Sequence, residues 1–199
     1  PPKKVVTPAP VVTPAPSVPS NTNIVSNSTL AANLGVVSQT VKNGYVLFTV
    51  TNRNSQMVSY YTINYQLKDS AGNVLETGSV WGHAINAGSV QYQADYVTRE
   101  KAALVDVAKS TISITVDQTL SYKDMTSSVK VTKGTSADGS SIPITFVNSG
   151  ISYVGARGVI FFYNAAKQVI AVDTISASLY AGETKYDDVY VPYDYETED

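Results

Sequence analysis

The chain has 199 residues, no cysteine, one histidine, one tryptophan, fourteen tyrosines and a formal net charge of −2. This composition excludes disulfides, thiol nucleophiles and Cys-ligated zinc within the chain. With no basic cluster larger than Lys3-Lys4, it also argues against nucleic-acid and anionic-membrane partners.

Charged residues make up 15% of the chain, below the roughly 25% of an average soluble domain. The abundance of Tyr, Thr, Val, Ser and Asn is that of β-structure. No apolar run approaches the length of a membrane span. Absence of cysteine fits a cytosolic protein and an exported Gram-positive one alike. A start at Pro1-Pro2 rather than Met is expected of a processed product or an excised fragment.

Residues 1–25 form a separate regime. Seven of the nine prolines lie there, and Val5-Val6-Thr7-Pro8-Ala9-Pro10 repeats at once as Val11-Val12-Thr13-Pro14-Ala15-Pro16. Proline fixes φ and removes a donor, so the segment is predicted to be a Pro-rich, extended and disordered linker. It would rise roughly 3.1 Å per residue where it is polyproline II. The repeat favours a stalk over a tail without a role. Basic residues flank only one end, which counts against an SH3-type ligand.

Ordered structure is expected from near Leu30. A first strand is predicted over 36–41, a turn at Lys42-Asn43-Gly44, and a second strand over 45–51. The stretch 58–68 alternates most clearly, with Tyr61, Ile63, Tyr65 and Leu67 on one side, the period of a half-buried strand. After a turn at 69–73, a strand runs over 74–85, expected to be broken or bulged near Gly78 and Gly82. Another covers 90–96. Residues 98–108 read as a long loop with a short helical turn. A closing strand at 112–116 is allowed to run on to Tyr122.

The pattern then repeats. Phe146-Val147-Asn148 answers Val50-Thr51-Asn52. Ile160-Phe161-Phe162-Tyr163-Asn164 answers Tyr65-Gln66-Leu67-Lys68-Asp69. Ala181-Gly182 answers Ala87-Gly88, and Tyr190-Val191 answers Tyr96-Val97. Order is kept while the offset drifts only from 96 to 94. The prediction is an all-β chain: two tandem Ig/fibronectin-like β-sandwich domains after the linker, at 26–123 and 124–199. The second is expected to lack its last strand. Either residues 192–199 supply a degenerate one, or the chain is cut from a longer protein.

On these residues the modules resemble the FxLYD family of bacterial envelope and lipoprotein modules. Its signature is Phe-x-Leu-Tyr-Asp on a central strand, a Gly-containing turn, an apolar strand, and a later Pro/Ala-Gly-Glu turn. Tyr65-Gln66-Leu67-Lys68-Asp69 keeps an aromatic, the Leu and the Asp. Ile160-Phe161-Phe162-Tyr163-Asn164 keeps the Tyr. Ala181-Gly182-Glu183 matches the later turn better than Ala87-Gly88-Ser89. The resemblance implies an exported β-sandwich, often behind a lipid anchor and a low-complexity linker, and carries over no catalytic residue.

Candidate chemistry is sparse. His83 alternates with Trp81 on a strand and has no nucleophile signature beside it, so it reads as an ordinary strand histidine. Trp81, Tyr60 and Tyr92, with Tyr61, Tyr65 and Tyr96, could form an aromatic platform for a sugar ring. The same residue types are also good core and cross-strand side chains. Asp187, Asp188, Asp194, Glu196, Glu198 and Asp199 lack calcium-loop spacing and read as a solvated acidic terminus. The loops 69–73 and 136–140 read as turns. An isopeptide cross-link from Lys68 or Lys130 to Asn148 stays open. No catalytic residue, metal site or cofactor is expected. The sequence supports a non-catalytic module pair of the bacterial cell surface, acting as a spacer or protein-interaction unit behind an upstream lipid or wall anchor. The alternative is a glycan-binding surface domain, and the protein or cell-wall glycan partner is left unspecified.

Overall fold

The computed structural model describes residues 25–135 and 139–191. The Pro-rich segment to residue 24, loop residues 136–138 and the acidic end 192–199 lie outside them. The fold is all-β and β-sandwich-like. In chain order the elements are α1 (Asn27–Ala32), β1 (Leu34–Val41), β2 (Tyr45–Asn52), β3 (Val58–Lys68), β4 (Val74–Ile85), β5 (Val90–Tyr96), α2 (Arg99–Leu104), β6 (Thr111–Val116), β7 (Val129–Lys133), β8 (Ser141–Asn148), β9 (Val154–Tyr163), β10 (Val169–Leu179) and β11 (Thr184–Tyr190).

Among the described residues four antiparallel sheets result, ordered β1-β2-β5, β4-β3-β6, β11-β8-β7 and β10-β9. Strand β3 sits between β4 and β6. Its residues 61, 63, 65 and 67 are buried, as the alternation requires. They pack with Phe48, Val50 and Ile85 into the core of the first half.

The sheet pairings of the second half repeat those of the first. β7, β8 and β11 are joined as β1, β2 and β5 are, and β9 with β10 as β3 with β4. The turns repeat too. Asp69 accepts from the Asn73 backbone N–H at 2.8 Å, and Asn164 from that of Gln168 at 2.9 Å. Gly72 takes the left-handed residue in the first turn and Lys167, at φ 58°, in the second. A residue with a Cβ is strained there. Lys167→Gly is therefore expected to stabilise the chain by up to about 1 kcal/mol, read as a higher urea midpoint.

The deepest correspondence is a pair of buried asparagines at the ends of β2 and β8. Asn52 Nδ2 donates to the carbonyls of Gln56, Ile85 and Asn86 at 2.9, 2.9 and 3.1 Å. Its Oδ1 accepts from the Asn54 backbone N–H at 3.0 Å. Asn148 Nδ2 donates to Ser152, Leu179 and Tyr180 carbonyls at 2.8, 3.4 and 3.0 Å, and its Oδ1 accepts from the Gly150 N–H at 2.9 Å. Each side chain thus satisfies backbone groups from two loops that cross over the sandwich end.

Several local expectations are corrected. Gly78 and Gly82 do not break β4. They lie directly across from Tyr65 and Tyr61 on β3, and those rings cover the space where a Cβ would stand. The irregularity falls instead at Leu67/Lys68. β6 stops at Val116 rather than reaching Tyr122, because the Asp117 carboxylate turns the chain by accepting from the Thr119 N–H and hydroxyl at 2.9 and 2.6 Å. Helix α1, capped by Ser26, precedes the first strand and buries Leu30 completely. Strand β7 was not anticipated: only Val129 and Val131 break its run of Lys and Thr.

Among the described residues β6 has no counterpart, and β9 has β10 as its strand neighbour. Beside it an apolar groove of about 540 Å³ opens between the sheets, lined by Val131, Ile142, Ile144, Ile160 and Val191 among others.

The two halves meet along a third apolar cluster. Val41 and Leu47 from β1 and β2 are buried against Val172 of β10, with Tyr45, Val159 and Phe161 around them. The turn residue Asn43 reaches across. Its Nδ2 donates to the Val172 carbonyl at 2.7 Å, and its Oδ1 accepts the Val172 N–H at 3.4 Å. Tyr45 donates to Asp173 Oδ1 at 3.0 Å.

Burial, then the Asp173 charge and hydrogen bond, push the Tyr45 hydroxyl up to about 12. Burial pushes Tyr61 to about 12 as well, and raises Tyr65 with help from Asp95. A raised folded value means that the unfolded chain ionises first. The stabilisation is therefore complete below pH 10 and is lost as pH rises towards 12. For Tyr61 alone that is on the order of 2–3 kcal/mol. Alkaline titration followed at 295 nm is expected to show these tyrosines ionising late and together with unfolding; ionisation of all tyrosines near pH 10 would contradict it.

Candidate functional site

A cleft of about 290 Å³ lies where β4 and β5 of the first half face β9 and β10 of the second. Strand alternation sets its contents. Gly82 turns inward beneath Tyr61, so Trp81 turns outward and is 40% exposed. On β5, Tyr92 is 45% exposed and its ring meets Phe161 edge-on at 5.0 Å. From the second half, the Arg157 guanidinium carbon stands 4.9 Å from the centre of the Trp81 ring, a cation–π distance. Asp95, Gln93, Ser79, Thr174 and Ser176 add to the polar lining. Asp95 accepts the Tyr65 hydroxyl at 2.5 Å, which fixes its carboxylate.

Two of the three aromatic ligand candidates therefore share one cleft. Tyr60 goes elsewhere. Its ring lies 5.3 Å from His83 and 5.9 Å from Tyr122, and His83 and Tyr122 are 4.1 Å apart. Tyr61 and Tyr65 are core residues, buried at 0% and 4% exposure. Tyr96 packs edge-on against Tyr45 at 5.3 Å.

His83 is an aromatic partner within this stack. Burial, and secondarily the Arg157 charge, hold its imidazole below the usual histidine value. Arg157→Ala is accordingly expected to raise the His83 pKa in an NMR titration, and to shift the emission of Trp81, the only tryptophan. An unchanged histidine titration would place Arg157 away from the cleft.

Asp187 and Asp188 are exposed on β11; the other acidic residues of that group lie outside the described residues. Among the described residues, no three His, Asp or Glu side chains gather as a metal site. Asn148 uses its amide on three carbonyls. Lys130, paired beside it with Val147, is exposed, and Lys68 belongs to the other half, so neither is placed for a cross-link. The loop 136–140 is described only at Gly139 and Ser140.

Sequence reasoning missed Arg157. Its one signal is that it is the sole charged residue of β9.

No family model and no curated protein matches the chain. Among solved structures it is similar to the crystal structure of red sea bream transglutaminase, with a TM-score of 0.28 and 8% identity, over 83% of this chain and 28% of that one. The chain thus spans little more than a quarter of that enzyme, and a likeness this distant carries no argument about function. Among the described residues no helix is long and apolar enough to cross a membrane.

Proposed function

We propose that the chain is a non-catalytic pair of Ig-like modules of the bacterial cell surface, working as a stiff spacer and protein-interaction unit. The observation that carries this reading is the joint between the halves. Asn43 binds both backbone groups of Val172, Tyr45 binds Asp173, and Leu47 is buried against Val172. A joint sealed by apolar burial and side-chain hydrogen bonds holds two sandwiches at a fixed angle, whereas linked modules otherwise move relative to one another. The Pro-rich segment ahead of it adds reach, and the FxLYD-like motif residues support export.

Surface location is tested by protease shaving of intact cells. Peptides from 25–191 are expected in the released fraction. Recovery only after lysis would contradict the reading.

The second reading is glycan binding, favoured by one observation: Trp81 and Tyr92, chosen from sequence as platform aromatics, line the same cleft. Aromatic faces accept the C–H faces of sugars, while polar neighbours orient the hydroxyls.

A further inference from the structure

The inter-module cleft has a polarity that selects among sugars. Arg157 is exposed and lies over Trp81, and among the described residues no carboxylate stands within ion-pair distance of it. An arginine that rests on an aromatic face keeps its planar fork of donors available for a carboxylate or phosphate. Asp95, in the same cleft, has the opposite need. Its carboxylate accepts one hydroxyl, that of Tyr65, and retains further acceptor capacity. Thr174 and Ser176 add neutral hydroxyls.

We propose that this cleft binds an acidic saccharide: a sugar whose ring packs on Tyr92 beside the Trp81–Arg157 pair, whose carboxylate or phosphate meets Arg157, and whose hydroxyls donate to Asp95. The inference rests on the glycan reading and sharpens it. A purely anionic ligand such as free phosphate is disfavoured by Asp95, and a neutral sugar leaves Arg157 unanswered. Only a molecule that carries an acidic group beside several hydroxyls answers both.

The walls also come from different halves, Trp81 and Tyr92 from one and Arg157 and Thr174 from the other. The site therefore exists only while the halves are docked, and a bound saccharide would tighten the joint.

The test uses the full chain and the fluorescence of Trp81. Tri-galacturonate is titrated against the neutral tri-galactose of the same linkage, with phosphate alone as a third probe. Saturable binding of the acidic trisaccharide is expected, at least about tenfold tighter than the neutral one, a gap of about 1.4 kcal/mol. Arg157→Gln should remove that preference. Its circular dichroism should match wild type because the side chain is exposed, and calorimetry on Tyr92→Ala gives a second loss that does not depend on the arginine. Equal affinity for the acidic and neutral sugars, or an unaltered preference in Arg157→Gln, would overturn the acidic-ligand inference while leaving glycan binding standing. No binding of either sugar would overturn both. Binding of phosphate as tight as that of the acidic sugar would overturn the role of the ring and of Asp95.

Discussion

Asn52→Ala and Asn148→Ala should each cost about 3 kcal/mol or more, read as lower urea midpoints. The loss is large because each asparagine serves three backbone carbonyls at once. Both residues are fully buried, so water cannot take over the freed groups cheaply. Leaving a buried polar group without a partner costs about 1–3 kcal/mol. The isosteric change Asn52→Asp separates hydrogen bonding from packing. It keeps the shape, removes both donors and sets a negative charge against three carbonyls. It should destabilise at least as much as alanine at neutral pH. A near-neutral Asn52→Asp would show that the side chain is only a filler.

The duplication adds a further expectation. Asn54 doubles the first site by donating to Asn52 Oδ1 at 2.8 Å and to the Leu30 carbonyl at 3.1 Å. The second half has Gly150 in that place, with no side chain to give. Loss at position 52 should therefore loosen α1 as well. Loss at 148 should stay within the loops that close β8 and β10.

Gly82→Ala should be the other severe substitution, destabilising by about 2–3 kcal/mol. Gly82 is not among the glycines with positive φ, so the reason is space. An added Cβ would fall inside the Tyr61 ring. That ring is fully buried, and its hydroxyl donates to Gln91 at 3.0 Å and accepts from Gln93 at 3.2 Å, so it has nowhere to retreat. Gly155→Ala and Gly158→Ala are the controls. At 155 a Cβ meets nothing, and at 158 it meets Ile175 at an ordinary 3.4 Å. Both should be neutral or slightly stabilising, because glycine weakens a strand interior. Thermal unfolding of the three variants measures the contrast. Similar effects at all three positions would show that the Tyr61 ring is not what excludes a side chain at Gly82.

The same glycine marks where sequence reasoning stopped. Period-two alternation placed β3 at its observed ends, since burying every second side chain leaves a clear pattern, and the flanking turns bounded β4. A glycine in such a run reads as a bulge when nothing shows what lies across from it. Here the neighbouring strand supplies a tyrosine, and that depends on register. Asn52 and Asn148 were visible as matched letters in two copies. Their work was not, because four of the six carbonyls they serve lie 31 to 34 residues further along the chain. β7 was missed because its alternation spans only four residues, Val129 to Thr132, and Val131 is itself exposed.

The cleft was half legible. An outward-facing Trp81 and Tyr92 could be picked from their neighbours on β4 and β5. Their convergence needed the two sheets to meet, and Arg157 needed the second half to dock. Docking itself left no clear trace in sequence. Leu47 and Val172 look like any strand hydrophobics, and Asn43 looks like a turn residue.

That docking is the central claim, because both the spacer reading and the cleft depend on it. Residual dipolar couplings of the backbone amides, measured in one alignment medium, test it directly. Couplings from β1–β6 and from β7–β11 should fit a single alignment tensor in the native chain. They should split into two tensors in Val172→Asp, which sets a charge in the sealed joint. Two different tensors in the native chain would mean that the halves move independently, and would contradict the account.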